Sequence, residues 1–275
     1  MRTPHQPGPL LTGKVALVTG GGGGIGRGIS LAFAAHGATV IVAEIDEQRA
    51  QETVADIEAA GGRALAQVVD VTDPAGVERL AVDAGPVDVL VNNVGHYLFP
   101  AADFVESGPE EWEALYRINL GHVLLVTRAV LPGMIERGRG GSVINVSTVE
   151  AFRAKPQSAV YAAYKGAVTQ FTKSLAMEVG IHHIRVNAIA PDLTESLQIP
   201  YERWVKEDQH ALIPTWVPIG RFGTPDDHAG VALFLASDLG AFVTGTTVHA
   251  DGGSYAAGGW FRTARGGWTN RPLAP

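Results

Sequence analysis

Short β-branched runs alternate with longer helical patterns along most of the chain. The runs are Lys14 to Thr19, Thr39 to Ala43, Ala64 to Val69, Val87 to Asn92, Ser142 to Ser147, Ile184 to Ile189 and Thr246 to His249. Most lack strict polar/apolar alternation, and continuous apolar runs of this length suit parallel strands covered on both faces. Helical patterns occupy 25–36, 47–60, 74–83, 109–137, 158–180 and 226–237. Strand–helix–strand alternation without a dividing linker predicts one α/β domain over 1–275, a doubly wound, seven-stranded parallel sheet with helices on both faces. A (β/α)8 barrel would need an eighth strand–helix unit, which the pattern lacks.

One helical stretch is apolar around most of its circumference: between 112 and 134, Trp112, Ile118, Leu124, Leu125, Leu131 and Met134 fall on different sides. A helix lying on a sheet needs a single stripe. The surplus serves either the core or a second subunit.

Composition narrows the chemistry. Among 275 residues there is no Cys, which excludes thiol nucleophiles, disulfides and Cys-ligated metals. Nine His are scattered without metal-ligand spacing, so no metal site is expected. A formal net charge of −7 gives no reason to expect nucleic acid or an anionic membrane as partner. No unbroken apolar run approaches the ~18 residues needed to span a bilayer. The first twelve residues lack the apolar segment of a secretory signal, so the expected location is cytoplasmic. Glycine is over-represented, 34 residues in all, and five of them stand in a row at 20–24.

That glycine run lies between the first strand and the first helix. Gly20, Gly24 and Gly26 let backbone approach a pyrophosphate, and the helix N-terminus offers free N–H groups and a positive dipole end. Gly21 to Gly23 need not all be glycine for that purpose. Glu44 closes the second strand 18 residues after Gly26, near the offset of about 20 expected for a ribose-binding carboxylate. A carboxylate there accepts from both ribose hydroxyls and repels a 2′-phosphate, so NAD(H) is favoured over NADP(H). Arg27 and Arg49 are the nearest cations that could compensate. Asp46 is a lesser candidate for the ribose contact; its other role is to cap the following helix.

Tyr161 and Lys165 stand four apart near the start of the 158–180 helix and share a face. An ammonium nearby stabilises a phenolate, and such a pair can exchange a proton with an alcohol or ketone.

With these elements in order, the chain resembles the short-chain dehydrogenase/reductase family. The resemblance is carried by Thr19-Gly20-x3-Gly24-Ile25-Gly26, Asp70, Asn92-Asn93-Val94-Gly95, Asn119, Ser147-Thr148, Tyr161-x3-Lys165, Pro191 and Asp251-Gly252-Gly253. It covers about 12–253 and implies a Rossmann-type fold, a nicotinamide cofactor and an alcohol/ketone substrate. It implies Tyr161 as acid/base and Lys165 as the residue that lowers its pKa and holds the nicotinamide ribose. Asn119 would hold a proton-relay water. The hydroxyl that orients the substrate falls thirteen before the tyrosine, on Thr148, with Ser147 as alternate. Asp70 and Val71 would meet adenine, Asn92 and Gly95 the ribose side, and Pro191 with Ser196 or Thr194 the nicotinamide. In two places the chain departs from the family pattern. Val94 stands for Ala, and Asp192 replaces the glycine of a Pro-Gly turn, bringing a carboxylate to the substrate entrance.

The segment 191–217 has the position of a substrate loop, and its Tyr201, Trp204 and Trp216 favour a bulky apolar or cyclic substrate unless they pack onto the domain. His96, Tyr97, Glu150 and Phe152 are further pocket candidates. The tail 254–275, with two Trp among glycines, is expected to fold over the active site or a subunit interface, or else to fray. Helices 109–137 and 158–180 are expected to build a homotetramer or homodimer. The leading reading is an NAD-dependent alcohol/ketone oxidoreductase. Its rivals are an NADPH-dependent 3-oxoacyl reductase and a non-catalytic dinucleotide-binding sensor.

Overall fold

A computed structural model describes residues 8–196, 200, 205–258, 261–262 and 268–270, without the side chains of 211–212, 215–216, 261–262 and 268. The strands of its main sheet are β1 (Val15–Thr19), β2 (Thr39–Glu44), β3 (Arg63–Val68), β4 (Val89–Asn92), β5 (Gly141–Val146), β6 (Ile184–Pro191) and β7 (Thr247–Ala250). All pair in parallel, in the order β3-β2-β1-β4-β5-β6-β7. The order reverses beside β1, and at that switch point the carboxyl ends of β1 and β4 open a crevice.

Successive side chains of a strand point to opposite faces, and here both faces are covered. Val18, Val40, Val42 and Val91 pack with Ile29 and Phe33 of α1 (Gly24–Ala35). Leu17, Ile41 and Leu90 point the other way, into a cluster with Val126, Val130, Met134 and Leu175. This is why the strands read as continuous apolar runs. The remaining helices are α2 (Glu47–Ala59), α3 (Pro74–Ala84), α4 (Pro109–Tyr116), α5 (His122–Arg137), α6 (Ala159–Val179) and α7 (Pro225–Ala236).

The structure modifies the sequence expectation for 109–137. The stretch stays helical throughout, but Arg117–Gly121 is a π-turn that joins α4 to α5. As one unit, Pro109–Arg137 is long and apolar enough, by length and composition, to cross a membrane. The expectation that nothing approached that limit counted only unbroken apolar runs, whereas the helix admits an occasional charge such as Arg128. Its buried residues Val126, Val130 and Met134 pack in the sheet's second cluster, as a core helix does.

Candidate active site

Four glycines, Gly20 to Gly23, make the turn between β1 and α1, and a fifth, Gly24, opens the helix. Gly23 is the extended N-cap of α1, and no side chain caps the first-turn N–H groups. Gly23, Gly24 and Ile25 line a cleft of about 350 Å³, so this helix end is open to an anion. Gly26 lies beneath the turn: a Cβ there would sit 2.1 Å from the Gly20 carbonyl oxygen and 2.5 Å from Asn93 Nδ2. Gly22, one of three glycines not all expected to be needed, is also constrained, though less tightly, because a Cβ would meet Glu44 Cγ at 2.9 Å. The run is long because the turn lies directly on the end of β2.

Glu44 is buried at that end, and its carboxylate already has partners. Oε2 accepts from the Gly22 N–H at 3.2 Å, and Oε1 from the N–H groups of Ile45 and Asp46 at 3.1 and 3.3 Å. Arg49 Nη2 lies 3.3 Å from the same Oε1 and also lines the cleft. Asp46 accepts from the Arg49 N–H as the N-cap of α2 and does not line the cleft. Asp70 and Val71 line the same end of the cleft. Asn92 does not. It is fully buried, and its Nδ2 donates to Thr127 Oγ1 and Asn145 Oδ1, tying β4 to β5 and α5. Its neighbour Asn93 takes the cleft position and donates Nδ2 to the carbonyls of Thr19 and Gly20. Strand alternation sends adjacent residues to opposite sides, so only one asparagine of the pair can face the turn.

At the other end, α6 brings Tyr161 and Lys165 into the cleft, both buried. Lys165 Nζ donates to the Val146 carbonyl oxygen at 3.1 Å. A Cβ on Gly95 would stand 2.6 Å from that Nζ, so glycine makes room for the ammonium. Burial lowers the Lys165 ammonium to about 8. Burial also lifts the Tyr161 phenol above its ordinary range; hydrogen bonds with Tyr97 and Thr148 oppose the rise, and the Glu150 carboxylate adds to it. Desolvation is the largest of these influences on the phenol. Thr148 lies beyond the end of β5, where it N-caps a short 3₁₀ turn and donates Oγ1 to the Pro191 carbonyl at 3.4 Å. Ser147 donates its hydroxyl to the Lys165 carbonyl of α6 at 3.1 Å, whereas Thr148 also hydrogen-bonds with the Tyr161 phenol.

Asn119 occupies the π-turn, the kind of helix irregularity that recurs at functional sites. Its Nδ2 donates to the His96 carbonyl at 2.9 Å and its Oδ1 accepts from the His96 N–H at 3.1 Å. The side chain thus clamps the loop that carries His96 and Tyr97. His96 Nδ1 accepts from the Leu98 N–H at 2.7 Å, which fixes the neutral tautomer with its proton on Nε2. The Tyr97 ring lies 4.3 Å from that of Tyr161, and Lys155 Nζ sits 3.4 Å over Tyr97. No spacing in the sequence pointed to Lys155.

Pro191, Asp192, Thr194 and Ser196 form the last wall. A Cβ on Gly24 would meet Ser196 Cβ at 3.4 Å, so the loop leaving β6 crosses close to the glycine turn. Thr194 Oγ1 donates to the Asp192 carbonyl at 3.0 Å and therefore accepts from His228 Nε2 at 2.6 Å. The cleft is continuous from Glu44 past an uncapped helix N-terminus to Thr148, Tyr161 and Lys165. A cradle that only glycine fits, with acceptors at one end and a buried phenol at the other, fits an extended dinucleotide.

The profile of a family described as enoyl-(acyl carrier protein) reductase matches residues 20–255. Galactitol 2-dehydrogenase of Agrobacterium fabrum is 38% identical over 89% of this chain and 98% of its own length. A solved structure of a 3-ketoacyl-(acyl-carrier-protein) reductase from Brucella melitensis, complexed with NADH, superposes with a TM-score of 0.79. It is 34% identical and covers 89% of this chain and 99% of its own. A second solved structure, described as a 2-deoxy-D-gluconate 3-dehydrogenase from Agrobacterium tumefaciens with bound NADP, has a TM-score of 0.83 and 34% identity, covering 91% of this chain and 100% of its own. The chain belongs to the short-chain dehydrogenase/reductase family. It is an oxidoreductase with a nicotinamide-dinucleotide site, and its relatives include both 3-oxoacyl reductases and sugar or polyol dehydrogenases.

Against that family background the substrate side needs correction. His96, Tyr97 and Asp192 line the cleft, but Glu150 and Phe152 do not. Glu150 is held by Arg153 at 3.2 Å, and burial raises its carboxyl above the usual range. Phe152 packs 4.6 Å from the His249 ring and 6.0 Å from that of Tyr255. Tyr201 and Trp204 lie outside the described residues, as does the side chain of Trp216. Ile213 and Val217, from the same segment, pack with Val205 and Phe222 in a satellite cluster away from the cleft. The tail returns to the site at its start. The Ser254 hydroxyl donates to Asp192, and Tyr255 stacks 4.8 Å from His249. Beyond it, Phe261–Arg262 pairs antiparallel with Trp268–Thr269, while the tail glycines 259, 266 and 267 lie outside the described residues.

Proposed function

We propose that this protein is an NAD(H)-dependent oxidoreductase that interconverts a secondary alcohol and a ketone. The observation that carries this reading is the single cleft that joins the uncapped α1 N-terminus and Glu44 to the Thr148–Tyr161–Lys165 cluster. When bound, the nicotinamide would supply the hydride acceptor or donor. Gly23, Gly24 and Ile25 would face the pyrophosphate, and Glu44 would accept from the adenosine ribose. Lys165 and Asn93 would line the nicotinamide side, with Thr194 and Ser196. Thr148 holds the reacting oxygen beside Tyr161, and Tyr161 takes its proton in oxidation or returns it in reduction. A full acid/base cluster argues against a silent sensor. The apolar bulk expected of the substrate now rests on Tyr201 and Trp204, since Ile213 and Val217 pack elsewhere.

One observation favours the NADPH-dependent 3-oxoacyl reductase reading: Arg49 lines the cleft 3.3 Å from the Glu44 carboxylate, where a guanidinium would suit a 2′-phosphate. A panel of secondary alcohols and 3-oxoacyl thioesters, assayed with each dinucleotide, separates the two. NAD(H) is expected to win by more than about tenfold in kcat/KM, equivalent to ~1.4 kcal/mol, and Glu44→Gln to narrow that gap. Equal use of both dinucleotides by the wild type would remove the Glu44 argument.

The protein is also proposed to be a homo-oligomer through 109–137 and 158–180. Met177 and Ile181, at and just beyond the α6 end, are 82% and 81% exposed, and Leu124, Leu125 and Leu131 are only partly buried. Sedimentation velocity at micromolar concentration should give a dimer or tetramer; a clean monomer would refute it.

A further inference from the structure

Resting on the alcohol–ketone reading above, we infer that Asp192 is a substrate-recognition residue, selecting a carbinol that carries a second hydroxyl on a neighbouring carbon. Asp192 directly follows Pro191, whose carbonyl accepts from Thr148 Oγ1 at 3.4 Å. Its side chain therefore starts one residue from the carbonyl that Thr148 contacts, and it lines the same cleft as Tyr97, Thr148 and Tyr161.

The carboxylate is held from one side. Oδ2 accepts from Arg153 Nη2 at 2.9 Å and from the Ser254 hydroxyl. Among the described residues no hydrogen bond goes to Oδ1, and that atom is not among the sealed, unpartnered ones. The side chain is 9% exposed. A nearly buried carboxylate on a cleft-lining residue, with one oxygen fixed and the other left to accept, is a preorganised acceptor, and binding a ligand O–H there costs little ordering.

Charge identifies the donor it would take. Glu150 and Asp192 are balanced by Arg153, which bridges them at 3.2 and 2.9 Å, and by Lys155 over the Tyr97 ring. Such a balanced cluster offers no net field to draw in a charged group of either sign. A neutral hydroxyl remains. A site built to hydrogen-bond a substrate hydroxyl also discriminates strongly against the analogue that lacks it, because its own acceptor is left unpaired.

The test uses matched pairs: cyclohexane-1,2-diol against cyclohexanol, and butane-2,3-diol against butan-2-ol, with 2-aminocyclohexanol as the cationic arm, each with both dinucleotides. The wild type should favour the diol of each pair at least about tenfold in kcat/KM. Asp192→Gly, which leaves Arg153 its Glu150 partner, should bring the ratio near one. Asp192→Asn, closer in shape, provides the same comparison should the glycine variant fold poorly, and NADH fluorescence checks that either retains the dinucleotide site. A wild-type ratio near one, a ratio unchanged in both variants, or preference for the amino alcohol would overturn the inference while leaving the alcohol–ketone reading intact. No turnover of any alcohol, or of its ketone, with either dinucleotide would overturn that reading and the inference with it.

Discussion

Tyr161→Phe should lower kcat by about 10²–10⁴-fold, the usual share of a positioned general acid or base, while NADH binding changes little. Only one oxygen is removed. The Tyr161 ring packs 4.3 Å from that of Tyr97, and phenylalanine preserves that contact. The dinucleotide cradle is built mainly from the glycine turn, Glu44, Asp70 and Asn93, none of which needs the phenol. Burial holds the phenol protonated near neutral pH. Oxidation, which needs it as a base, should accordingly speed up with rising pH, whereas reduction should not. Stopped-flow turnover beside NADH fluorescence titration separates the two effects. Activity within a few fold of wild type would refute the assignment, and so would parallel loss of NADH affinity.

Lys165→Met should abolish most turnover and yet stabilise the fold at neutral pH. Burial lowers the Lys165 ammonium from 10.5 to about 8. Between those values the unfolded chain binds the proton and the folded protein does not, so wild-type stability rises as the pH rises from 8 to 10.5. Below about 8 both states are charged, and the buried charge costs the fold about 3 kcal/mol. Losing the hydrogen bond to the Val146 carbonyl returns about 1 kcal/mol. Methionine keeps the apolar stem without the charge, and the net gain at pH 7 is about 2 kcal/mol. It should shrink as the pH approaches 10.5. Urea unfolding of both proteins at pH 7 and pH 10 measures it. A variant less stable than wild type at pH 7 would contradict this account of the lysine.

Much of this architecture was legible because a parallel sheet buried on both faces leaves a strong mark in sequence. All seven strands fall within two residues of the apolar runs that suggested them. The placement of Glu44 at the end of β2 and the shared helix face of Tyr161 and Lys165 followed from periodicity alone. The π-turn at Arg117–Gly121 left no such mark, since one extra residue in a helical turn barely disturbs an apolar pattern. Asn92 was assigned to the cleft because a paired Asn-Asn does not declare which member faces out. The partnership of Arg153 with Glu150 and Asp192 was invisible for a different reason: it joins segments separated by up to 39 residues, with no periodicity to connect them. Gly22 looked optional because its constraint comes from Glu44 and Arg49, side chains of another strand and helix.

The hydroxyl of Ser254 on Asp192 also has a consequence for how the protein is made. Ser254 follows β7, the last strand of the sheet, and reaches back across 62 residues. Synthesis runs from the N-terminus, so the β1–α1 turn and the partners that hold it, Glu44 and Asn93, are all made well before β7. The loop after β6 lacks one of its anchors until the whole sheet has left the ribosome. The dinucleotide end of the cleft is thus assembled from early sequence and the substrate end from late sequence. A nascent chain paused between β6 and β7 would be expected to hold a nucleotide before it can discriminate among substrates.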